Sequence, residues 1–335
     1  MTATAMTTTT STQALRRAAV RATLAPSVHN TQPWRFVLSG DALEIHADPL
    51  RRLQVLDPTG RQLLISCGCA LFNARVSLAA SGFAAHVERA PDPTRPDLLA
   101  RVTAELCAPG SGSDPAGLAP LDLLVESRRT NRRRFEADEV PPEIVEVLVA
   151  AASAEGAQLL PITRAEDRVA LAVQTQRADA QENADPAYRA ELRMWTAGDE
   201  VRNDGVPPSA VPYGAAGGHD DIPVREFDTT GAGELPTETR SSMNQCLLLL
   251  GTDVDSREAW LRAGEGLEHL LLEVERLGYA ASPITQLIEM PNTRAMVRRE
   301  LRLTMQPHVL LRIGRAPTTP ATRRRRLIDM LTEAA

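Results

Sequence analysis

The chain has 335 residues, of which 43% are apolar and 3% aromatic, and it carries a formal net charge of -6. This length allows one large domain or two modest ones with a mainly aliphatic core. The negative charge argues against a general nucleic-acid binder, and all 37 basic residues are arginine, which excludes a Schiff-base lysine and a P-loop lysine.

The first residues and the cysteines indicate where such a protein works. Residues 1–11 are rich in threonine, lack an apolar signal-peptide region and are predicted to be disordered. The four cysteines are too few for a disulfide scaffold, and Cys67 and Cys69, in an apolar run, are expected to be buried packing residues in a reducing compartment. The longest aliphatic run, Leu247 to Leu250, is too short to span a membrane. We therefore expect a cytoplasmic protein without a membrane segment or metal site.

The first part of the chain alternates between helical and strand patterns. A helix is predicted over 12–24, followed by two strands within 34–48 that meet at Ser39-Gly40-Asp41. A long apolar helix over 61–81 ends at Gly82, and strands follow over 84–90 and 98–106. The Gly- and Pro-rich residues 108–117 have the composition of a linker.

A second set of elements follows the linker. Helices are predicted over 118–129, 141–153, 164–181 and 256–277, and strands over 158–162, 245–253 and 308–314. This mixture of elements predicts an α+β fold in which helices surround mainly antiparallel sheets.

Residues from about 184 to 240 differ in texture because they are dense in Gly, Pro and Asp. Long irregular segments inside compact domains are usually functional, although a plain disordered insertion has the same composition. Apolar and ring-bearing residues interrupt the segment, which favours a lid: Tyr188, Trp195, Val211, Tyr213 and Phe227.

The two long apolar helices resemble each other. The stretch from Arg61 aligns without a gap on the stretch from Arg257, which pairs Gly68 with Gly264 and Gly82 with Gly278. The alignment predicts an internal duplication into halves 12–107 and 118–335, packed about a pseudo-two-fold axis.

Two motifs concentrate polar chemistry. "APSVHNTQPWRF" (25–36) sets hydrogen-bonding side chains between two prolines, where a helix turns into a strand. "SRRTNRRRF" (127–135) offers arginine forks and a threonine hydroxyl to an anion, and "RRRRL" (323–327) is similarly basic. Spacing alone leaves open whether these arginines bind phosphate or form a solvated surface.

Together these motifs resemble those of the FMN-dependent nitroreductase family. The first resembles the family's A-P-S-x-x-N-x-Q-P-W stretch, and "RRTNRRRF" is similar to its phosphate-binding R-R-S-x-R. Their order and the linker are most similar to the Acg-like branch. Ordinary members dimerise and bind FMN at the interface, whereas each half of this chain retains only one of the two motifs. The resemblance therefore implies one composite FMN site in a monomer that acts as a pseudo-dimer.

The resemblance also implies which residues form that site. Gln32 and Trp34 are expected to fix the turn on its strand, while "ASPITQ" (281–286) resembles a segment that runs past the flavin N5. Thr285 and Gln286 stand where the family has Glu and Gly, near the nicotinamide space. The implied FMN-binding residues are Pro26, Ser27, His29, Asn30, Arg128, Arg129, Thr130, Arg132, Pro283, Ile284, Thr285, Arg324 and Arg326.

Two functions remain open at this stage. One is an oxidoreductase that takes electrons from NAD(P)H and reduces a nitroaromatic or quinone slowly, beneath the lid. The alternative is a flavin-binding protein that sequesters FMN without turnover, which the missing Glu and the lid would favour. No catalytic side chain is assigned, because water or the flavin can supply protons.

Overall fold

A computed structural model describes residues 10–107, 117–196, 202–212, 222, 225–229, 231–235 and 245–334. Its helices are α1 (Ser11–Ala22), α2 (Arg61–Ala80), α3 (Pro142–Ala154), α4 (Ala165–Ala184), α5 (Pro186–Thr196), α6 (Arg257–Arg276), α7 (Gln286–Glu289) and α8 (Pro291–Glu300). Its strands are β1 (Trp34–Ser39), β2 (Ala42–Ala47), β3 (Phe83–Arg89), β4 (Leu98–Leu106), β5 (Gln158–Pro161), β6 (Cys246–Thr252), β7 (Ala280–Ile284), β8 (Gln306–Gly314) and β9 (Leu331–Ala334).

The strands form two sheets with one repeated plan. The first sheet has the order β3-β4-β2-β1-β9 and the second β5-β6-β8-β7. When β1 to β4 are matched with β5 to β8, the two orders are the same. Every pair is antiparallel except β1 with β9, where the end of the chain joins the first sheet. The α+β prediction is confirmed, and the repeated order agrees with a duplication.

The helices α2 and α6 pack against each other at the centre of the protein. A Cβ built on Gly68 would lie 2.0 Å from the Leu261 carbonyl oxygen, and one built on Gly264 would lie 2.0 Å from the Ile65 carbonyl oxygen. The sequence alignment pairs Gly68 with Gly264 and Ile65 with Leu261. The contact is therefore reciprocal, as at a two-fold axis, and only glycine lets the two backbones approach so closely.

Substitution of either glycine by alanine is expected to lower the free energy of unfolding by about 1–3 kcal/mol, because the backbones must move apart. Gly266→Ala on the same helix is the control. Its added Cβ would lie 3.0 Å from the Ala157 side chain, with no backbone atom closer than 3.5 Å. Urea unfolding of the three variants measures the difference, and equal losses at Gly264 and Gly266 would contradict a special crossing.

Helix α2 is long and apolar enough to cross a membrane, although its longest aliphatic run is short. Its most apolar stretch has a mean hydropathy of 1.6, and 83% of that stretch is buried inside the protein. Core helices of soluble proteins share this composition because they are buried on all sides.

Some sequence expectations were wrong. In place of a helix over 118–129, Ala119–Leu124 form a 3-10 helix with Pro120 in its first turn, and the following residues leave the helical path so that Thr130 bridges to Ala281. Disorder up to residue 11 was also wrong at its end, because Thr10 caps α1 through a capping box with Gln13. Residues 1–9 and 108–116 lie outside the described residues.

Part of the expected lid is regular. Helix α5 occupies its start, and we call residues 186–196, 202–212 and 225–229 the cover segment. Apolar side chains of the cover segment form a small core with Leu53 and Leu56 of the first half. The cover residues in this core are Tyr188, Leu192, Val206, Ala210, Val211 and Phe227. This packing explains why a polar segment contains ring-bearing residues. Tyr213 lies outside the described residues.

Candidate functional site

Two adjoining cavities lie where both motifs meet. We call the first the arginine cavity and the second the histidine cavity. Both are lined by Pro26 and Ser27 from the first half and by Thr130 and Arg132 from the second. The two motifs, distant in sequence, therefore line the same pair of cavities.

The turn between α1 and β1 adopts an unusual backbone. His29, Asn30 and Gln32 have φ values of 46°, 54° and 50°, in the left-handed region that non-glycine residues rarely adopt. The Ser27 Oγ accepts a hydrogen bond from the Gln32 backbone N–H at 2.9 Å and helps to hold this conformation. Such backbone strain is typical of functional sites.

The side chains of this turn connect separate segments. Asn30 Nδ2 donates to the Gly205 carbonyl of the cover segment at 2.9 Å and to the Arg323 carbonyl at 3.1 Å. Gln32 donates to the Asn203 carbonyl and accepts from the Arg325 backbone N–H. Gln32 thus holds the turn against the cover segment and the C-terminal segment, while its expected fixing of the turn on the strand stays a prediction.

Trp34 has the packing role expected for it. Its side chain is fully buried in the main hydrophobic core, which both halves share. Its indole N–H has no hydrogen-bond partner in the described part of the chain, although buried tryptophans usually find one.

Four arginines line the arginine cavity: Arg128, Arg129, Arg132 and Arg324. Arg128 is buried, and its Nε and Nη1 have no hydrogen-bond partner among the described residues, although a Glu268 carboxylate oxygen lies 3.6 Å from Nε. Burial and the neighbouring Arg128 lower the pKa of Arg324 to about 9, and burial and Arg225 lower the pKa of Arg132 to about 10. Positive charge held so close together favours an anionic ligand.

The remaining predicted residues divide into two groups. Arg129 lines the arginine cavity, and Pro283 and Thr285 line the histidine cavity. Ile284, on the same strand, points into the hydrophobic core. Arg326 lies outside both cavities, where it is exposed and paired with Asp329.

Glu268 makes the stability of the folded protein depend on pH. Burial raises its pKa from 4.5 to about 7, against the opposing effect of Arg128. The folded protein therefore binds a proton that an unfolded chain releases, and this contribution to stability is full below pH 4.5 and lost as the pH rises through about 7.

Glu268→Gln should flatten the fall in stability between pH 4.5 and about 7, by up to about 3 kcal/mol. Urea unfolding across this pH range measures the slope, and the exposed Glu258→Gln on the same helix is the control. A variant as pH-dependent as the parent protein would contradict the assignment.

The histidine cavity centres on a buried arginine of the cover segment. Arg225 donates to His29 Nε2 at 2.7 Å and pairs with the buried carboxylates of Glu182, at 3.2 Å, and Glu289. Its guanidinium lies 5.9 Å from the centre of the Phe227 ring. One cation thereby ties the cover to the turn, to α4 and to α7.

The sequence reasoning missed Arg225 and several helical residues of this cavity. Gln62, Ser66 and Cys69 on α2 and Leu267 and Leu271 on α6 line it. The polar residues recur on one face of an otherwise apolar helix, a pattern that could have revealed them. Arg225 has no comparable sequence signal. Among the described residues, no group of three metal-ligating side chains occurs.

No family model matches the chain. It is 33% identical over 330 residues to the Mycobacterium tuberculosis protein named "Putative NAD(P)H nitroreductase Rv3131", covering 95% of this chain and 91% of that one. It is 29% identical over 331 residues to "Putative NAD(P)H nitroreductase acg" of the same organism, covering 94% of each.

Solved structures resemble the chain more distantly. The FMN-dependent nitroreductase NfnB from Mycobacterium smegmatis, in complex with NADPH, is 19% identical with a TM-score of 0.39, covering 65% of this chain and 100% of NfnB. A nitroreductase with bound FMN from Bacteroides fragilis is 12% identical with a TM-score of 0.37, covering 60% and 93%.

Proposed function

Because the chain belongs to the FMN-dependent nitroreductase family, in its Acg-like branch, we propose that its two adjoining cavities bind one FMN and use it in a slow, NAD(P)H-dependent reduction. The observation that carries the proposal is the pair of adjoining cavities that both motifs line, with buried arginine donors that have no partner among the described residues. The family is one of oxidoreductases; the slow rate of reduction and the substrate class are what we propose.

The residues present fit FMN. A phosphate would satisfy the Nε and Nη1 of Arg128 and the Nε of Arg324, which otherwise remain unpaired donors in the described structure. The histidine cavity is lined by Ile65, Leu267 and Leu271, which suit a flat aromatic ring. Bound FMN would accept electrons from NAD(P)H and pass them to a nitroaromatic or quinone. The chain itself binds, orients and shields the ring.

The pseudo-symmetric positions support a single site. Cys69 and Leu271 line the histidine cavity, and the alignment pairs them with Glu265 and Arg75. Together with Arg89 these two residues form a largely buried ion cluster in which Glu265 contacts Arg75 at 2.7 Å and Arg89 at 2.7 Å. Charged side chains thus fill the place where a second flavin ring would lie.

Flavin and phosphorus analysis of the saturated protein should therefore give one FMN per chain. Size-exclusion chromatography should give the mass of one chain, because both parts of the site belong to it. Two FMN molecules per chain would contradict both the duplication into 12–107 and 118–335 and the loss of the second site. The buried thiols of Cys67 and Cys69 fit a reducing, cytoplasmic setting for this monomer.

Anaerobic mixing with NADPH, followed at the flavin absorbance band, tests the activity. We expect slow reduction, because Arg225 and Phe227 of the cover segment line the cavity where nicotinamide must approach. Reoxidation by an added nitroaromatic should follow. Tight FMN binding without any reduction would favour the second candidate, a protein that sequesters flavin, for which this cover is the supporting observation.

A further inference from the structure

His29 occupies a constrained position in the wall of the histidine cavity. It is 6% exposed, and its ring meets Phe227 edge-on, with 5.4 Å between ring centres. Its Nε2 lies 2.7 Å from Nη1 of Arg225. Both Arg225 and Phe227 belong to the cover segment, so the cover surrounds the imidazole on two sides.

The contact with Arg225 determines which nitrogen of His29 carries the proton. A guanidinium has only N–H donors and stays protonated in proteins. Nε2 must therefore be the acceptor, which places the single proton of the neutral ring on Nδ1. In a protonated imidazole, the Nε2–H of His29 would face an N–H of Arg225, and two donors cannot form a hydrogen bond with each other. Burial, Arg225 and Arg132 independently lower the pKa of His29 well below its ordinary value.

The Nδ1–H that results has no acceptor within the described residues. Leaving a buried donor unpaired is unfavourable, and native proteins seldom do so without a functional reason. The nitrogen belongs to a side chain that lines the cavity proposed to hold the flavin ring. A ring nitrogen or carbonyl oxygen of a flavin has the chemistry to accept this hydrogen.

We propose that His29 is a ligand-binding residue, held by Arg225 as the Nδ1–H tautomer, which donates a hydrogen bond to an acceptor atom of the flavin ring. The inference rests on the proposed function, because it assumes that this ring occupies the histidine cavity. It adds a role for the cover segment: Arg225 prepares the donor that the ring meets, so cover and ring stabilise each other.

Nitrogen NMR of protein labelled with ¹⁵N in its six histidines tests the tautomer directly. His29 is assigned by the signals that disappear in His29→Gln. In ligand-free protein at neutral pH, its Nδ1 should be protonated and its Nε2 unprotonated. Arg225→Lys, which keeps a donor, should retain this state, whereas Arg225→Met should release it. An imidazolium or an Nε2–H form in the parent protein would overturn the assignment without recourse to any variant.

Three probes then identify the acceptor. FMN and riboflavin should both shift the Nδ1 signal, whereas inorganic phosphate should not, because it has no ring. His29→Phe should weaken riboflavin and FMN binding alike, by about two- to tenfold, and His29→Gln should recover part of the loss. A shift produced by phosphate, or one that appears only when a nitroaromatic is added, would overturn the ring as the acceptor.

Failure of this inference is distinguishable from failure of the proposed function. Flavin fluorescence reports FMN binding separately from the state of His29. If FMN binds and the Nδ1 signal does not move, the role of His29 is wrong and the FMN site stands. If neither flavin binds, the FMN site and the acceptor both fail, while the ligand-free spectrum still judges the tautomer.

Discussion

Replacing Arg225 with methionine should lower the free energy of unfolding by about 3–5 kcal/mol and speed the reduction of bound FMN by NADPH at least about tenfold. The substitution leaves the carboxylates of Glu182 and Glu289 buried without their cation. It also removes the contact that holds the cover segment to His29. The cover should then open more often, at a smaller free-energy cost.

The two effects are separable by design. In the triple variant Arg225→Met, Glu182→Gln, Glu289→Gln no charge remains buried in this cluster, so stability should recover while reduction stays fast. Arg193→Met, at an exposed position on α5, is the matched control and should change neither quantity. Urea unfolding and stopped-flow absorbance measure them. A stable Arg225→Met with an unchanged rate would mean that the cover does not limit access, and Thr285 would then be the next candidate.

Replacing two arginines of the arginine cavity, by Arg128→Gln with Arg324→Ala, should weaken FMN binding by about 10²- to 10⁴-fold. Each charge-assisted hydrogen bond to phosphate contributes about 1.5–3 kcal/mol, and about 1.4 kcal/mol corresponds to a tenfold change in Kd. Riboflavin lacks the phosphate and should lose only a few-fold in affinity. Fluorescence titration of both flavins measures the contrast.

Arg326→Ala provides the control for this double variant. Arg326 is also an arginine of the basic C-terminal run, but it is exposed and paired with Asp329 outside the cavity. It should leave FMN affinity nearly unchanged, because exposed ion pairs contribute little. Equal losses of FMN and riboflavin in the double variant would mean that the arginines support the fold and do not bind phosphate.

Much of the fold follows from local patterns in the sequence. Helix α6 has an apolar stripe and a Ser256 cap, and β6 is a run of aliphatic residues, so both were predictable within a few residues. The missed elements lack such signals. Helix α8 buries only Thr293 and Val297, and β9 is a short, mostly exposed strand that exists because β1 offers it an edge. Tertiary context determines these elements.

The candidate site divides in the same way. Arg128 and Asn30 lie in motifs with recognisable residue types and spacing, so the sequence could predict both of them. The role of Arg225 depends on three partners that lie 43, 64 and 196 positions away along the chain. Neither sequence periodicity nor composition predicts that these distant residues contact Arg225, and only the folded chain brings the four side chains together.

The reciprocal crossing of α2 and α6 at Gly68 and Gly264 joins the halves within one polypeptide. A cavity at the interface of two separate subunits exists only while they are associated, so it is lost when dilution makes the subunits dissociate. Here each half is supplied to the other at a fixed, intramolecular effective concentration. The site should therefore stay assembled at low protein concentration, and the melting temperature should not depend on protein concentration.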